Sequence, residues 1–166
     1  MPALEAGVSA PDIQLPSLDG AQFSLDQAKM RGPVVAAFFK VSCPVCQFAF
    51  PYLDRIYKAY SGKEKFSLVG VSQNDAADTK QFNREFGVTF PTLLDDTRKY
   101  PASNAYGLTN VPTIFLISPE GEVELSIVGW SKRDMEELNR RVAQVSGVAP
   151  VPLFKPGEQA PDTKPG

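Results

Sequence analysis

From Val34 to Val41 the chain is apolar at every position but Lys40, and its side chains are small, β-branched or aromatic. A half-solvated strand would alternate with polar residues; this one reads as a strand covered on both faces, as in a sheet flanked by helices. A helical pattern follows almost at once. Between Pro44 and Tyr60, Phe48, Tyr52, Leu53, Ile56, Tyr57 and Tyr60 recur at three- and four-residue spacings, which marks one apolar helix face.

The same alternation continues. Phe66 to Val71 reads as a second buried strand, and a helix capped by Asp75 or Asp78 runs through Phe82 and Phe86 to Gly87. Pro91 to Leu94 is a short third strand, and Thr97 to Tyr106 carries a short helix. Thr113 to Ile117 is a fourth strand, which the Pro119-Glu120-Gly121 turn joins to an alternating fifth, Glu122 to Val128. A last helix, Asp134 to Val145, places Met135, Leu138, Val142 and Val145 on one face. Upstream, Ile13-Gln14-Leu15 and Ala21-Gln22-Phe23 flank an Asp19-Gly20 turn and predict a hairpin; Ser24 then starts a short helix that Gly32-Pro33 ends. The expected fold class is α/β, a mixed central sheet whose final pair is antiparallel.

The chain has 166 residues, which suits one domain, expected over 1–147. Residues 148–166 hold five of the fifteen prolines and little apolar periodicity, so they read as an extended or disordered tail, pinned if at all through Leu153 and Phe154. A net charge of -2 gives no reason to expect nucleic acid or an anionic membrane as partner. No apolar run approaches the roughly 18–20 residues of a membrane span. Met1 to Ala10 has neither a basic residue nor an apolar core, so cytoplasmic residence is expected, or periplasmic if an export signal has been removed.

Histidine is absent, which excludes Ser-His-Asp and Cys-His catalysis and histidine-ligated metals. Two cysteines cannot complete a four-cysteine zinc or iron–sulfur site, so neither metal nor cofactor is expected. These two, Cys43 and Cys46, fall where the buried strand ends and the helix begins. At that point unpaired backbone N–H groups and the helix macrodipole favour a thiolate, and Pro44 suits the first helical position. Cys46, one turn further in, is expected to be buried and less nucleophilic. The pair can run disulfide exchange, with Cys43 attacking and Cys46 resolving the mixed disulfide. Other uses are a structural bond, half of a metal site shared between chains, or two inert thiols. A purely structural bond across so short a loop would stabilise weakly.

Val111-Pro112 immediately before an apolar strand is, taken alone, strand punctuation. Beside the cysteine motif it acquires another reading: a loop facing the sulfurs, with Pro112 cis and the Val111 backbone free to pair with an extended substrate. Pro44, Val45, Val111 and Pro112 are the expected substrate-contacting residues, and Lys40 and Gln73 are candidate modulators.

At this level the chain resembles thioredoxin-fold proteins, and more narrowly the TlpA/ResA-like thiol-disulfide oxidoreductases of the redoxin group. The resemblance rests on Ala10-Pro11-Asp12, Leu18-Asp19-Gly20, Cys43-Pro44-Val45-Cys46, Pro51, Phe90-Pro91-Thr92, Tyr106-Gly107-Leu108 and Val111-Pro112-Thr113. It implies a thioredoxin-like fold with an N-terminal hairpin extension, protein thiols or disulfides as partners, an external reductant or oxidant, and a monomer. The sequence departs from that pattern at Ser42, where tryptophan is usual, and in its Pro-Val dipeptide. It also lacks a clear match to the acid that assists the second cysteine: Ala37 and Gln73 or Asn74 stand near the places where relatives carry one.

Two other functions use the same sulfurs. A thiol peroxidase needs a proline seven and a hydroxyl three residues before its cysteine; Cys43 has Ala36 and Lys40 there, and Cys46 has Phe39 and Cys43. A redox-sensing or Cu(I)-handling module would suit soft thiolates, but no methionine or histidine stands beside the motif to complete a copper site.

Overall fold

The computed structural model describes residues 3–166; Met1 and Pro2, which the expected domain 1–147 includes, lie outside the described residues. The Val34–Val41 run becomes β3 of the chain, following a hairpin of β1 (Gln14–Pro16) and β2 (Gln22–Ser24) and a short helix α1 (Leu25–Ala28). β3 (Val34–Phe39) is buried at all six positions. It leads into α2 (Pro44–Tyr60), followed by β4 (Ser67–Ser72), α3 (Ala76–Phe86), β5 (Thr92–Leu94) and α4 (Pro101–Ala105). β6 (Thr113–Ile117), β7 (Val123–Val128), β8 (Trp130–Ser131), α5 (Lys132–Val145) and β9 (Thr163–Lys164) complete the order.

β3 sits in the middle of a five-stranded sheet ordered β5-β4-β3-β6-β7. It runs parallel to β4 and antiparallel to β6, and the closing β6–β7 pair is antiparallel. Successive side chains on a strand face opposite ways, so β3 feeds two cores. Val35, Ala37 and Phe39 pack under α2, α3 and α5 with Phe50, Leu53, Phe82, Leu138 and Trp130. Val34, Ala36 and Phe38 pack on the other face with Ile13, Leu15, Leu25 and Tyr106. That two-sided burial is why the run carries no polar alternation.

The N-terminal hairpin docks on one edge of this sheet, where Leu18 N–H donates to the Thr92 carbonyl (2.9 Å). At the other edge Ser9 bridges Glu122. The chain's own extension thus pairs with part of each edge, which blunts some of the exposed backbone that would invite strand addition.

The segment after α5 turns back over the α2–α5 face. Leu153 is buried, and Phe154 packs on Tyr52 and Trp130. Arg55 reaches it twice, donating to the Leu153 carbonyl (3.1 Å) and, through both terminal nitrogens, to the Glu158 carboxylate (2.7 and 2.8 Å). The chain then crosses Trp130, whose Nε1 donates to the Pro161 carbonyl (2.7 Å), and pairs as β9 with β8. The prolines keep this stretch extended, while these side chains supply the contacts that its own composition lacks.

Candidate active site

Helix α2 begins at the C-terminal end of central strand β3, and Cys43 is its N-cap. The Cys46 backbone N–H donates to Cys43 Sγ (3.2 Å), so the sulfur takes the place that a serine or aspartate oxygen fills at an ordinary cap. Pro44 occupies the first helical position, where its missing N–H leaves no bond unmade. Cys43 N–H is held by the Lys40 carbonyl (3.3 Å). Cys43 is half-buried and Cys46 fully buried, and both are free thiols. Burial first, and the neighbouring Cys43 sulfur second, push the Cys46 thiol well above its ordinary range. The pair is therefore unequal: one accessible sulfur stands at a helix terminus, with a protonated sulfur behind it.

The second wall is the loop before β6. The Val111–Pro112 peptide bond is cis, and the Val111 carbonyl accepts from the Cys43 thiol (3.4 Å). Pro112 is buried and receives the Gly129 N–H on its carbonyl (2.8 Å), which ties the loop to β7. The loop thus faces the sulfurs, yet its backbone is not bare: the Val111 carbonyl holds the thiol and lies against Gly166.

Between these walls opens a cavity of about 530 Å³, lined by Lys40, Cys43, Pro44, Gln73, Val111 and residues of the α4–β6 connection. Lys40 is exposed at its rim. Gln73 donates through Nε2 to Ser103 Oγ (2.9 Å), and Ser103 in turn donates to the buried Asp95 carboxylate (2.7 Å). Asn74, the other candidate near the family's acid, turns away to accept the Val41 N–H (3.0 Å). Ala37 lies within the sheet. Val45 is half-buried against the α2 core and does not line the cavity, so of the two intervening residues only Pro44 faces it.

Sequence reasoning missed three parts of this site. Asp95 and Ser103 orient Gln73 from behind, a link made across thirty positions for which the sequence carries no local signal. Tyr100 and Asn104 come to the rim because Pro101 starts α4 there. Gly166 reaches the cavity only because the tail folds back. Among the described residues no group of three or more His, Cys, Asp or Glu side chains is placed to hold a metal ion.

The sheet order, the helix-capping cysteine and the cis-proline loop across from it define a thioredoxin-like protein. The chain belongs to the AhpC/TSA family, whose family model matches residues 6–126. It is similar to the thiol-disulfide oxidoreductase ResA of Geobacillus thermodenitrificans, 31% identical over 137 residues that cover 81% of this chain and 76% of the relative. The Bacillus subtilis ResA is 31% identical over 134 residues, covering 80% and 73%. Among solved structures, the thioredoxin domain of a thiol-disulfide oxidoreductase from Bacteroides vulgatus superposes with a TM-score of 0.73 at 25% identity, covering 84% of this chain and 98% of that one. A thioredoxin-family thiol:disulfide interchange protein from Chlorobium tepidum gives 0.69 at 25% identity, covering 84% and 97%.

Proposed function

We propose that this chain is a thiol-disulfide oxidoreductase that exchanges its Cys43–Cys46 dithiol with disulfides of client proteins. The observation that carries this reading is the unequal sulfur pair, with Cys43 capping α2 in an open cavity and Cys46 buried one turn behind it. In the reducing direction the Cys43 thiolate attacks one client sulfur, forms a mixed disulfide and expels the other client sulfur as a thiolate, which takes up a proton. Cys46 then loses its proton and attacks Cys43 Sγ. The second client thiol leaves, and the Cys43–Cys46 disulfide remains. Two electrons pass to the client, and an external dithiol restores the pair; the same steps in reverse oxidise a client dithiol.

The Cys46 N–H held on Cys43 Sγ stabilises negative charge on the attacking sulfur and, in the oxidising direction, on the same sulfur when it leaves the mixed disulfide. Cys46 must ionise from a buried position, and among the described residues no Asp or Glu side chain lines the cavity to take its proton. This proton is therefore assigned to solvent in the open cavity. All of these groups come from one chain, so the proposed chemistry needs no residue from a second subunit.

The test is insulin reduction with dithiothreitol as electron source. Activity that survives Cys43→Ser would refute the mechanism. The reduction potential of the pair then assigns direction: a value near about -270 mV marks a reductant and one near about -120 mV an oxidant.

A further inference from the structure

One wall of the cavity beside Cys43 is closed by the chain itself, through Gly166. Residues 163–166 run along the groove between the Val111 loop and Gly129. β9 pairs antiparallel with β8, with Trp130 opposite Lys164. Lys132 N–H donates to the Asp162 carbonyl (2.9 Å), and Asn110 Nδ2 donates to the Gly166 carbonyl (3.1 Å). The Lys164 ammonium lies over the Phe48 ring, 5.1–5.2 Å being the reach shared with the Lys132–Phe154 pair on the same face.

The fit is close enough to dictate residue type on both sides. Gly129 has φ +75°, and a Cβ there would stand 2.5 Å from the Lys164 carbonyl oxygen. Gly166 would bring a Cβ to 2.7 Å from the Val111 carbonyl oxygen, the same oxygen that holds the Cys43 thiol. A small residue is required where the tail passes over Val111, and glycine is required beneath it at 129.

We infer that residues 163–166 are a tethered competitor for the client groove: an extended peptide that lies over Val111 and Gly129 and must be displaced before a client segment can reach Cys43. This rests on the disulfide-exchange reading above and adds to it a built-in occupant of the surface that a client needs. A tethered segment competes at a high effective concentration, so even weak contacts keep the groove filled much of the time. The contacts here are edge contacts on an exposed strip, since Thr163, Pro165 and Gly166 are exposed, which suits a segment that releases. The occupant that replaces it is an extended stretch with a small residue at the position over Val111.

The experiment compares the full chain with one ending at Asp162, which retains Leu153, Phe154, the Arg55–Glu158 pair and the Trp130–Pro161 bond. Circular dichroism and the denaturation midpoint establish that both are folded. The reaction of the reduced proteins is followed with a disulfide-bonded peptide and with hydroxyethyl disulfide, which is small enough to enter beside the tail. The expected result is a peptide rate about three- to ten-fold higher without residues 163–166, the inverse of the fraction of full chains whose groove is open, with a near-constant rate toward the small disulfide. Gly166→Leu, which cannot seat the tail, should give the same rise in the full-length chain. A synthetic peptide of residues 159–166 should inhibit the shortened chain competitively. Equal peptide rates in all three proteins, with no inhibition by the added peptide, would overturn the inference while leaving the exchange chemistry intact. A chain that reacts with neither disulfide would instead defeat the parent reading.

Discussion

Cys43 Sγ and the Val111 carbonyl oxygen lie 3.4 Å apart although 68 positions separate them in the chain. The contact closes the site. It joins the end of the central strand β3 to the start of its antiparallel neighbour β6, so the sheet register that pairs Phe38 with Thr113 also sets how far the sulfur stands from the loop. A client segment that pairs along Val111 would therefore deliver its disulfide to Cys43 without rearrangement of the sheet, which is the sense in which the fold positions the chemistry.

The inequality of the two sulfurs predicts selective alkylation. Iodoacetamide at neutral pH should label Cys43 and leave Cys46 unmodified, because Cys46 has no exposed surface and its thiol is pushed toward the protonated form. Peptide mapping by mass spectrometry reads the outcome. Comparable labelling of both residues in the folded protein would contradict the assigned roles.

The tail is held partly by an ion pair whose acidic member titrates. Two hydrogen bonds from Arg55 come first, and the Lys155 N–H second, in lowering Glu158 from 4.5 to about 2. Because the folded-state value is depressed, the stabilisation is fully present above about 4.5 and is lost as the pH falls through about 2. Trp130 is the single tryptophan and packs on Phe154, so its fluorescence reports the docked tail. Acidification across that window should shift the emission, and Glu158→Gln should show the shifted emission already at neutral pH.

A third expectation concerns the α2–α5 seam. Tyr60 donates to Asn139 Oδ1 (2.9 Å) and accepts the Val151 N–H (2.8 Å), with the ring fully buried. Tyr60→Phe keeps the packing but leaves both the Asn139 oxygen and the Val151 N–H without this partner, which should cost about 1–3 kcal/mol in urea denaturation. A loss much below that range would mean that the seam is held by packing alone.

Much of this architecture is legible in the sequence, for reasons specific to each element. The bounds of α2 follow from its apolar spacing and from Pro44, which suits the first helical position, and the helix continues through Pro51 in its interior. The choice between Asp75 and Asp78 as cap is settled in the structure by one bond, Asp78 N–H to Asp75 Oδ1 (2.9 Å). The short helix expected within Thr97 to Tyr106 is Pro101–Ala105; it starts no earlier because Asp96 ties down the Arg98 N–H and Tyr100 takes a left-handed backbone (φ 48°). Cys43, Cys46 and Val111 were readable because strand ends and helix starts carry local signals. Gln73's support from Ser103 and Asp95, and the tail's attachment through Arg55 to Glu158, join residues far apart in the chain. No periodicity or turn signal reports such pairs.

Membership in the AhpC/TSA family also makes the reaction with peroxide worth measuring. Among the described residues, Cys43 Sγ has the Cys46 N–H and the Val111 carbonyl as its hydrogen-bond partners, and no side-chain hydroxyl is hydrogen-bonded to it. Stopped-flow reaction with hydrogen peroxide should therefore give a rate constant of the order of an ordinary free thiol. A rate constant orders of magnitude higher would move the protein to the peroxidases.

The central claim, that Cys43 attacks and Cys46 resolves, is tested most directly by trapping. Cys46→Ser, incubated with a disulfide-bonded client and resolved by mass spectrometry without reductant, should accumulate a mixed disulfide at Cys43, while Cys43→Ser should accumulate none. A stable adduct on Cys46 in the Cys43→Ser protein, or no adduct in either variant, would contradict it.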